Sequence, residues 1–272
     1  MPELPEVETT LAGIQPFLKN AHITDIVVRN TSMRWPVPVT DLQTLIGEPV
    51  LSARRRAKYI LIEAGKGTIL LHLGMSGNLR ALPNDVLAGK HDHLDIELNN
   101  TTIIRLNDPR RFGCCLFTRG NVMQHKLLAN LGPEPLLDAF NGEYLFARSR
   151  QRKVPVKNFI MDGAVVVGVG NIYASESLFM AGIRPTLQAH KVSQRRYALL
   201  AKAIKSVLAK AIQAGGTTLN DFTQVDGKPG YFRHELQVYG RANQPCKQCS
   251  KPIKSQVIGQ RNTFYCMVCQ TF

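Results

Sequence analysis

Leu131-Gly132-Pro133-Glu134-Pro135 separates two unlike halves of this 272-residue chain. Two prolines and a glycine within five residues interrupt both helical and extended patterns, so one architecture ends here and another begins. Upstream lie six short β-rich runs, Ile23-Val28, Tyr59-Glu63, Thr68-Leu73, Leu94-Leu98, Thr102-Leu106 and Cys114-Phe117, split by Gly, Pro, Asn and Asp. Strands at such close spacing predict an antiparallel sandwich or barrel. Ahead of them, after Pro5, Val7, Leu11, Ile14 and Leu18 recur at helical spacing. Glu3, Glu6 and Glu8 fall in or just before the first turn, where the helix dipole favours carboxylates. Downstream the pattern is helical. One helix is expected from about Ile172 to Ala181, stopped by Gly182. A longer one runs from Ser193, a plausible N-cap, to Ala214, stopped by Gly215-Gly216, with Tyr197, Leu200, Ile204, Leu208 and Ala211 as its apolar stripe.

Charge is distributed as unevenly as secondary structure. The chain carries 34 Lys and Arg against 20 Asp and Glu, a formal net charge of +14. Residues 1–176 hold 20 basic and 17 acidic side chains, whereas residues 177–272 hold 14 basic and 3 acidic. From Ser177 to Asn220 there is no acid at all, although Arg184, Lys191, Arg195, Arg196, Lys202, Lys205 and Lys210 lie there. Solvated helix faces usually mix signs, so this segment points to a polyanion, with nucleic acid the first candidate. A hydrophobic content of 44% excludes general disorder, and no run approaches the roughly 18 apolar residues of a membrane span. The first twenty residues lack the basic, then apolar, pattern of a secretory signal, so a cytoplasmic protein is expected.

Four of the six cysteines form Cys246-x2-Cys249-x16-Cys266-x2-Cys269. Each CxxC lets two thiolates reach one tetrahedral ion, and sixteen intervening residues suffice for a hairpin that brings the pairs together. With four protein thiolates no position is left open for water, so one structural zinc ion is expected. Lys247, Lys251, Lys254, Arg261, Phe264 and Tyr265 around it suit contact with nucleic acid. Cys114 and Cys115, adjacent in an expected strand, read as ordinary buried or half-buried residues.

Two further stretches invite chemistry. Val165-Val166-Val167-Gly168-Val169-Gly170-Asn171-Ile172-Tyr173-Ala174 imitates a dinucleotide fingerprint, but no acid follows about 20 residues later and no βαβ unit surrounds it. It reads instead as a tight turn between helices, whose glycine amides and Asn171 can approach a phosphate. At the amino end, Met1-Pro2-Glu3-Leu4-Pro5-Glu6 would present a secondary amine at Pro2 once Met1 is removed. An α-amino group of pKa roughly 8 keeps a usable neutral fraction at pH 7 and can attack an electrophilic sugar carbon, with Glu3 beside it to transfer protons. Pro and Glu are also common at helix starts for capping reasons alone.

Beyond these, Pro2-Glu3-Leu4-Pro5-Glu6-Val7-Glu8-Thr9, Leu71-His72-Leu73-Gly74-Met75-Ser76-Gly77, Asp108-Pro109-Arg110-Arg111-Phe112-Gly113, Gly168-Val169-Gly170-Asn171-Ile172-Tyr173-Ala174, Asp226-Gly227-Lys228-Pro229-Gly230-Tyr231-Phe232 and the cysteine hairpin with Gln260-Arg261 occur in one order. Together they resemble the bacterial formamidopyrimidine-DNA glycosylases, also called 8-oxoguanine DNA glycosylases, from residue 2 to residue 269. The resemblance implies an α+β chain with a leading helix and β-sandwich (1–132), a helix-two-turns-helix domain (133–236) and a zinc-finger β-hairpin (237–272), with DNA bound in the cleft between. It implies a bifunctional DNA glycosylase and abasic-site lyase of base-excision repair, monomeric and nucleoid-associated, acting on double-stranded DNA that contains oxidised purines. Pro2 would be the Schiff-base nucleophile at C1′ and Glu3 the proton donor. Lys58 would assist β-elimination and Arg261 δ-elimination. His91, Arg110, Arg152 and Asn171 would hold phosphates, and Met75, Arg110 and Phe112 would fill the gap left by the everted nucleotide. That last set favours the purine branch over the related endonuclease VIII branch. The chain departs from the family at Asn220, where members often carry Lys or Arg.

Overall fold

A computed structural model describes residues 2–217 and 232–272. Met1, Asn220 and the Asp226–Tyr231 part of the quoted motif lie outside the described residues. The chain runs α1 (Leu4–Leu18), β1 (Ile23–Val28), α2 (Val39–Gln43), β2 (Val50–Arg56), β3 (Tyr59–Ala64), β4 (Gly67–His72), β5 (Asn78–Pro83), β6 (Asp92–Leu98), β7 (Thr102–Asn107) and β8 (Cys114–Thr118). It continues with α3 (Gly142–Ser149), α4 (Val156–Met161), α5 (Asn171–Met180), α6 (Gln194–Gln213), β9 (Lys254–Ile258) and β10 (Arg261–Tyr265). Two compact units result, Met1–Ala129 with Ala214–Tyr231, and Asn130–Gln213 with Phe232–Phe272.

The first unit is a β-sandwich led by a helix. Its antiparallel sheets have the strand orders β1-β6-β7-β5 and β2-β3-β4-β8. Apolar side chains of both sheets, among them Ile23, Ile26, Ile60, Ile62, Ile69, Leu71, Ile96, Ile104 and Leu106, join one core with Val7, Leu11, Ile14 and Leu18 of α1. The stripe read from the sequence is therefore the face that fixes the helix, each fully buried Leu, Ile or Val contributing about 1.5–3 kcal/mol. Two strands, β2 and β5, lie outside the six β-rich runs of the sequence. Both are edge strands. Val50-Leu51-Ser52-Ala53-Arg54-Arg55-Arg56 resembles a solvated charge run, yet Arg55 is drawn into an ion pair with Glu8 of α1. Edge strands tolerate and even favour such charge, which hides them from a search for apolar alternation.

A buried ionic cluster stiffens the other sheet. Arg105 is 2% exposed and donates from Nε and Nη2 to the two carboxylate oxygens of Asp95, each at 2.8 Å. Arg29 adds a bond to Asp95 at 2.6 Å. Burial works to raise the Asp95 carboxyl, but the hydrogen bonds and charges of Arg105 and Arg29 hold it below its ordinary range. Nothing in the one-dimensional pattern announces this pairing, because the partners meet only through the β6–β7 register, where Asp95 faces Arg105.

The second unit is helical and carries the cysteine hairpin. Asn141 caps α3, its side chain accepting from the Tyr144 amide at 2.9 Å. The expected α5 and α6 begin and end within a residue or so of their sequence limits. Gly182 takes a φ of +67°, and Gly215 and Gly216 take +73° and +83°, the left-handed geometry that ends helices. The short helix α4 leaves little periodic signal. Among the described residues, no helix is long and apolar enough to cross a membrane.

Replacing Asp95 with Ala leaves Arg105 buried without its main counter-charge. The first unit is expected to lose roughly 3–5 kcal/mol in urea denaturation. A loss below about 1 kcal/mol would show that the cluster does not hold the sheet.

Candidate functional site

The amino end is held by its own helix start. Glu3 is the N-cap residue of α1, Pro5 lies in the first turn, and Glu3 and Glu6 form a reciprocal capping box. Glu6 Oε2 accepts the Glu3 amide at 2.8 Å, while its Oε1 accepts the amide of Thr217 at 2.8 Å. One buried carboxylate thus fastens the head of α1 to the chain just past α6. Gly216 cannot easily be anything else: its φ is +83°, and a Cβ there would meet Glu6 Oε1 at 3.2 Å and Cγ at 3.3 Å. Pro2 and Glu3 are both buried at this junction.

Lys58 sits at the tip of the β2–β3 hairpin, in the two-residue turn between the paired Arg56 and Tyr59. The other turn residue, Ala57, has a φ of +56°, a strained setting for a residue with a Cβ. Arg55 Nη1 bonds to the Ala57 carbonyl at 3.0 Å and helps fix the tip. Tyr59 packs on His72 across the β3–β4 pair, ring centroids 4.9 Å apart. Burial, and then the charges of Lys58 and Arg34, push the His72 imidazole down to about 4. Neutral His72 accepts the Gly74 amide at Nδ1, 2.9 Å away, at the start of the Met75 loop. Sequence reasoning assigned His72 no role, since a single histidine ending a strand carries no distinguishing spacing.

Met75, Arg110 and Phe112 stand on two loops that the structure packs together. Gly74, with a φ of +63°, leaves no room for a side chain: a Cβ would fall 2.3 Å from both Gly113 N and Phe112 C. The clamp between the loops is Asp108, fully buried, which accepts from Ser76 Oγ at 2.7 Å, the Gly113 amide at 2.7 Å and the Arg110 amide at 3.3 Å. Arg110 lies over the Phe112 ring at 4.9 Å, and that ring is 45% exposed. An exposed aromatic on a rigid loop, backed by a guanidinium, suits insertion into a base stack. The same clamp reaches His91, whose carbonyl accepts the Asp108 amide at 3.0 Å. His93 Nε2 contacts the Asp108 carbonyl at 2.8 Å.

In the second unit, Asn171 opens α5 and is heavily engaged. Its Oδ1 accepts from the buried Lys157 ammonium, and its Nδ2 donates to the Asn262 carbonyl at 3.0 Å. Lys157 also donates to Thr263 Oγ1 at 2.6 Å, so the first residue of α5 and strand β10 share one buried cation. The segment before α5 is the tight inter-helix turn expected, with Gly168 at a φ of +81°. Arg152 pairs with Asp162 at 2.8 Å on the surface. Arg261 is the first residue of β10 and is exposed.

The four sulfur atoms of Cys246, Cys249, Cys266 and Cys269 lie within 4.8 Å of one another. Sγ separations of 3.8 Å for Cys246–Cys269 and 3.4 Å for Cys249–Cys266 approach the ~3.8 Å edge of a tetrahedron with Zn–S bonds of about 2.3 Å. The donor set is prepared for a dication. Amides of Gln248 and Cys269 point at Cys246 and Cys266 sulfurs, each at 3.4 Å. Burial opposes ionisation of Cys246, but the amides of Gln248 and Cys249 bring it down to about 7, whereas burial and the neighbouring thiols push Cys269 up. Four thiolates cannot ionise together at this spacing without a cation. The residues fit zinc, which supplies a cross-link between the two ends of the hairpin and no reactive position.

Known proteins match these parts in chain order. Residues 1–115 match the formamidopyrimidine-DNA glycosylase N-terminal domain, residues 131–223 its H2TH domain, and residues 243–271 the zinc finger found in FPG and IleRS. A sandwich, an H2TH domain and a four-cysteine finger of these kinds define a zinc-containing DNA-repair glycosylase. A formamidopyrimidine-DNA glycosylase from Alcanivorax borkumensis is 58% identical over 270 residues, 99% of this chain and 100% of that protein. The crystal structure of the MutM (Fpg) protein from Thermus thermophilus is 35% identical with a TM-score of 0.88, covering 99% of this chain and 98% of that one. The Lactococcus lactis Fpg (MutM) in complex with Fapy-dG-containing DNA is 29% identical with a TM-score of 0.90, covering 99% of this chain and 100% of that one. The chain belongs to the formamidopyrimidine-DNA glycosylase family.

Two measurements check the site. Purified protein is expected to carry one zinc per chain by elemental analysis, and Cys249→Ser should abolish stoichiometric zinc and loosen β9–β10 in hydrogen exchange; zinc retained at full occupancy would refute the ligand set. His72 is neutral in the fold and charges more readily when unfolded, so its contribution is complete above about pH 6.5 and is lost as pH falls towards about 4. His72→Gln should therefore flatten part of that acid destabilisation, at most roughly 3 kcal/mol, in urea melts across this window.

Proposed function

We propose that the chain excises oxidised purines, formamidopyrimidines and 8-oxoguanine, from duplex DNA and then cleaves the strand at the resulting site, with the amine of Pro2 as nucleophile. One observation carries the reading: a buried Pro2-Glu3 pair heads a capped, core-anchored helix in a chain 58% identical over its length to a formamidopyrimidine-DNA glycosylase. The structural neighbour bound to Fapy-dG-containing DNA supports the substrate class.

Removal of Met1 converts the Pro2 nitrogen from a tertiary amide into a secondary amine. In its neutral form that amine attacks C1′ of the everted nucleotide; the bond from C1′ to the base breaks, and the base leaves with the electron pair and a proton supplied through Glu3. Opening of the sugar ring places a proton on O4′ and leaves an iminium between Pro2 and C1′. The iminium draws electrons as the 2′ proton is lost and the C3′–O bond breaks, Lys58 assisting. Loss of the 4′ proton and rupture of the C5′–O bond follow, with Arg261 assisting the second departing phosphate. Duplex stacking hides C1′, so eversion must come first, and Met75, Arg110 and Phe112 occupy the vacated space. His91, Arg110, Arg152 and Asn171 hold the flanking phosphates, a role that needs donors of fixed position and not base-edge readers.

Strand scission of a duplex bearing 8-oxoguanine opposite cytosine tests the reading against a lesion-binding protein that does no chemistry. Pro2→Gly, which exchanges the secondary amine for a primary one, should cut coupled scission sharply and leave lesion binding intact, and Glu3→Gln should slow base release by about 10²–10⁴-fold. Undiminished scission by protein that retains Met1, whose Pro2 nitrogen is a tertiary amide, would rule out the assigned nucleophile.

A further inference from the structure

Arg261 owes its position to a hairpin turn that is itself pressed onto a helix. Strands β9 and β10 are joined through Gly259 and Gln260, with φ values of +55° and +62°, between the paired Ile258 and Arg261. Two positive φ values in a two-residue loop give the type I′ geometry, which matches the strand twist and fixes the register of the residue that follows. The turn does not project freely into solvent. A Cβ placed on Gly259 would fall 2.1 Å from Nδ2, 2.9 Å from Cγ and 3.0 Å from Oδ1 of Asn158 on α4. Asn158, Met161 and Asp162 of the α4 end line a small recess together with Ile258, Gly259 and Arg261.

The neighbouring residue of α4 makes the second attachment. Lys157 bonds to Thr263, two residues beyond Arg261, while Asn158 abuts Gly259, two residues before it. Between them the Asn262 carbonyl accepts from Asn171. The backbone of Arg261 is thereby bracketed on both sides by contacts to helices of its own unit. The exposed Arg261 side chain therefore stands on a fixed backbone.

We infer that Asn158 and Gly259 are positioning residues that set where Arg261 stands, and that the share of product carried from β- to δ-elimination depends on their contact. The inference rests on the reading that Arg261 assists δ-elimination. A Cβ at 259 overlaps the Asn158 amide, so the methyl group of an alanine there pushes the turn off α4 and moves Arg261 with it; the left-handed backbone alone does not demand glycine, since Gln260 beside it holds a φ of +62°.

The test uses the full-length zinc-loaded protein and a duplex with one 8-oxoguanine opposite cytosine. Denaturing gels separate the unsaturated aldehyde end left by β-elimination from the phosphate end left by δ-elimination. The ratio is taken among products of the same turnovers, so it does not depend on the fraction of folded enzyme. Gly259→Ala should raise the β-to-δ ratio about fivefold, and Asn158→Ala alone about twofold, as residues in contact typically couple. The double variant should fall back to the level of Asn158→Ala, because the added methyl group then has room. An unchanged ratio in both single variants, with Arg261→Ala raising it, overturns the contact and leaves the role of Arg261 standing. A raised ratio in Gly259→Ala that the double variant fails to lower likewise overturns it. An unchanged ratio in Arg261→Ala overturns the underlying reading and the inference with it. If Gly259→Ala does not fold, Asn158→Ala decides, and a wild-type ratio there is the contrary result.

Discussion

A chain end is ordinarily the least ordered part of a protein, and the nucleophile proposed at Pro2 must be tied down before it can be aimed. The rest of this structure follows from that constraint. Leu4, Val7, Leu11, Ile14 and Leu18 bury one side of α1, and the capping box closes its first turn. Glu6 then commits both carboxylate oxygens to backbone amides, one from Glu3 and one from Thr217. Farther along, Glu8 holds Arg55 of the hairpin that carries Lys58. Of three glutamates that read in the sequence as dipole-favoured helix starters, Glu3 closes the first turn of its own helix, while Glu6 and Glu8 attach that helix to Thr217 and to the β2–β3 hairpin.

Packed loops repeat the device at Met75, Arg110 and Phe112, the proposed wedge. Asp108 binds the Met75 loop through Ser76 and the Phe112 loop through Gly113, and Gly74 permits their backbones to touch. Phe112 can be left substantially exposed without collapsing onto the surface because its loop is held from beneath by a buried carboxylate. The cost of exposing an aromatic ring is offset when a stacked base covers it.

Much of this was legible beforehand. Short β-rich runs split by Gly, Pro, Asn and Asp marked six of the eight sandwich strands among the described residues, the 3.6-residue stripes marked α1 and α6, and the cysteine spacing marked the metal site. What stayed hidden shares a physical cause. Strands β2 and β5 lie at sheet edges, where polar residues weaken alternation. The Arg105–Asp95 and Glu6–Thr217 contacts join residues far apart or without motif, and only strand register or chain return brings them together. Asp108 stood inside a quoted motif, yet its work as a clamp depends on loops whose packing no spacing rule describes. The charge division looks different too: cations after residue 176 include ones committed to structural bonds, such as half-buried Arg196 to the Gly182 and Thr271 carbonyls, as well as exposed side chains.

The proposed chemistry turns on which nitrogen attacks C1′ of the lesion's deoxyribose. Reduction with borohydride during turnover on 8-oxoguanine duplex, followed by proteolysis and mass mapping of the cross-linked peptide, reads it directly. The adduct should sit on the peptide that begins at Pro2, in protein whose intact mass shows Met1 removed. An adduct mapped to Lys58, or efficient trapping by protein that retains Met1, would contradict it.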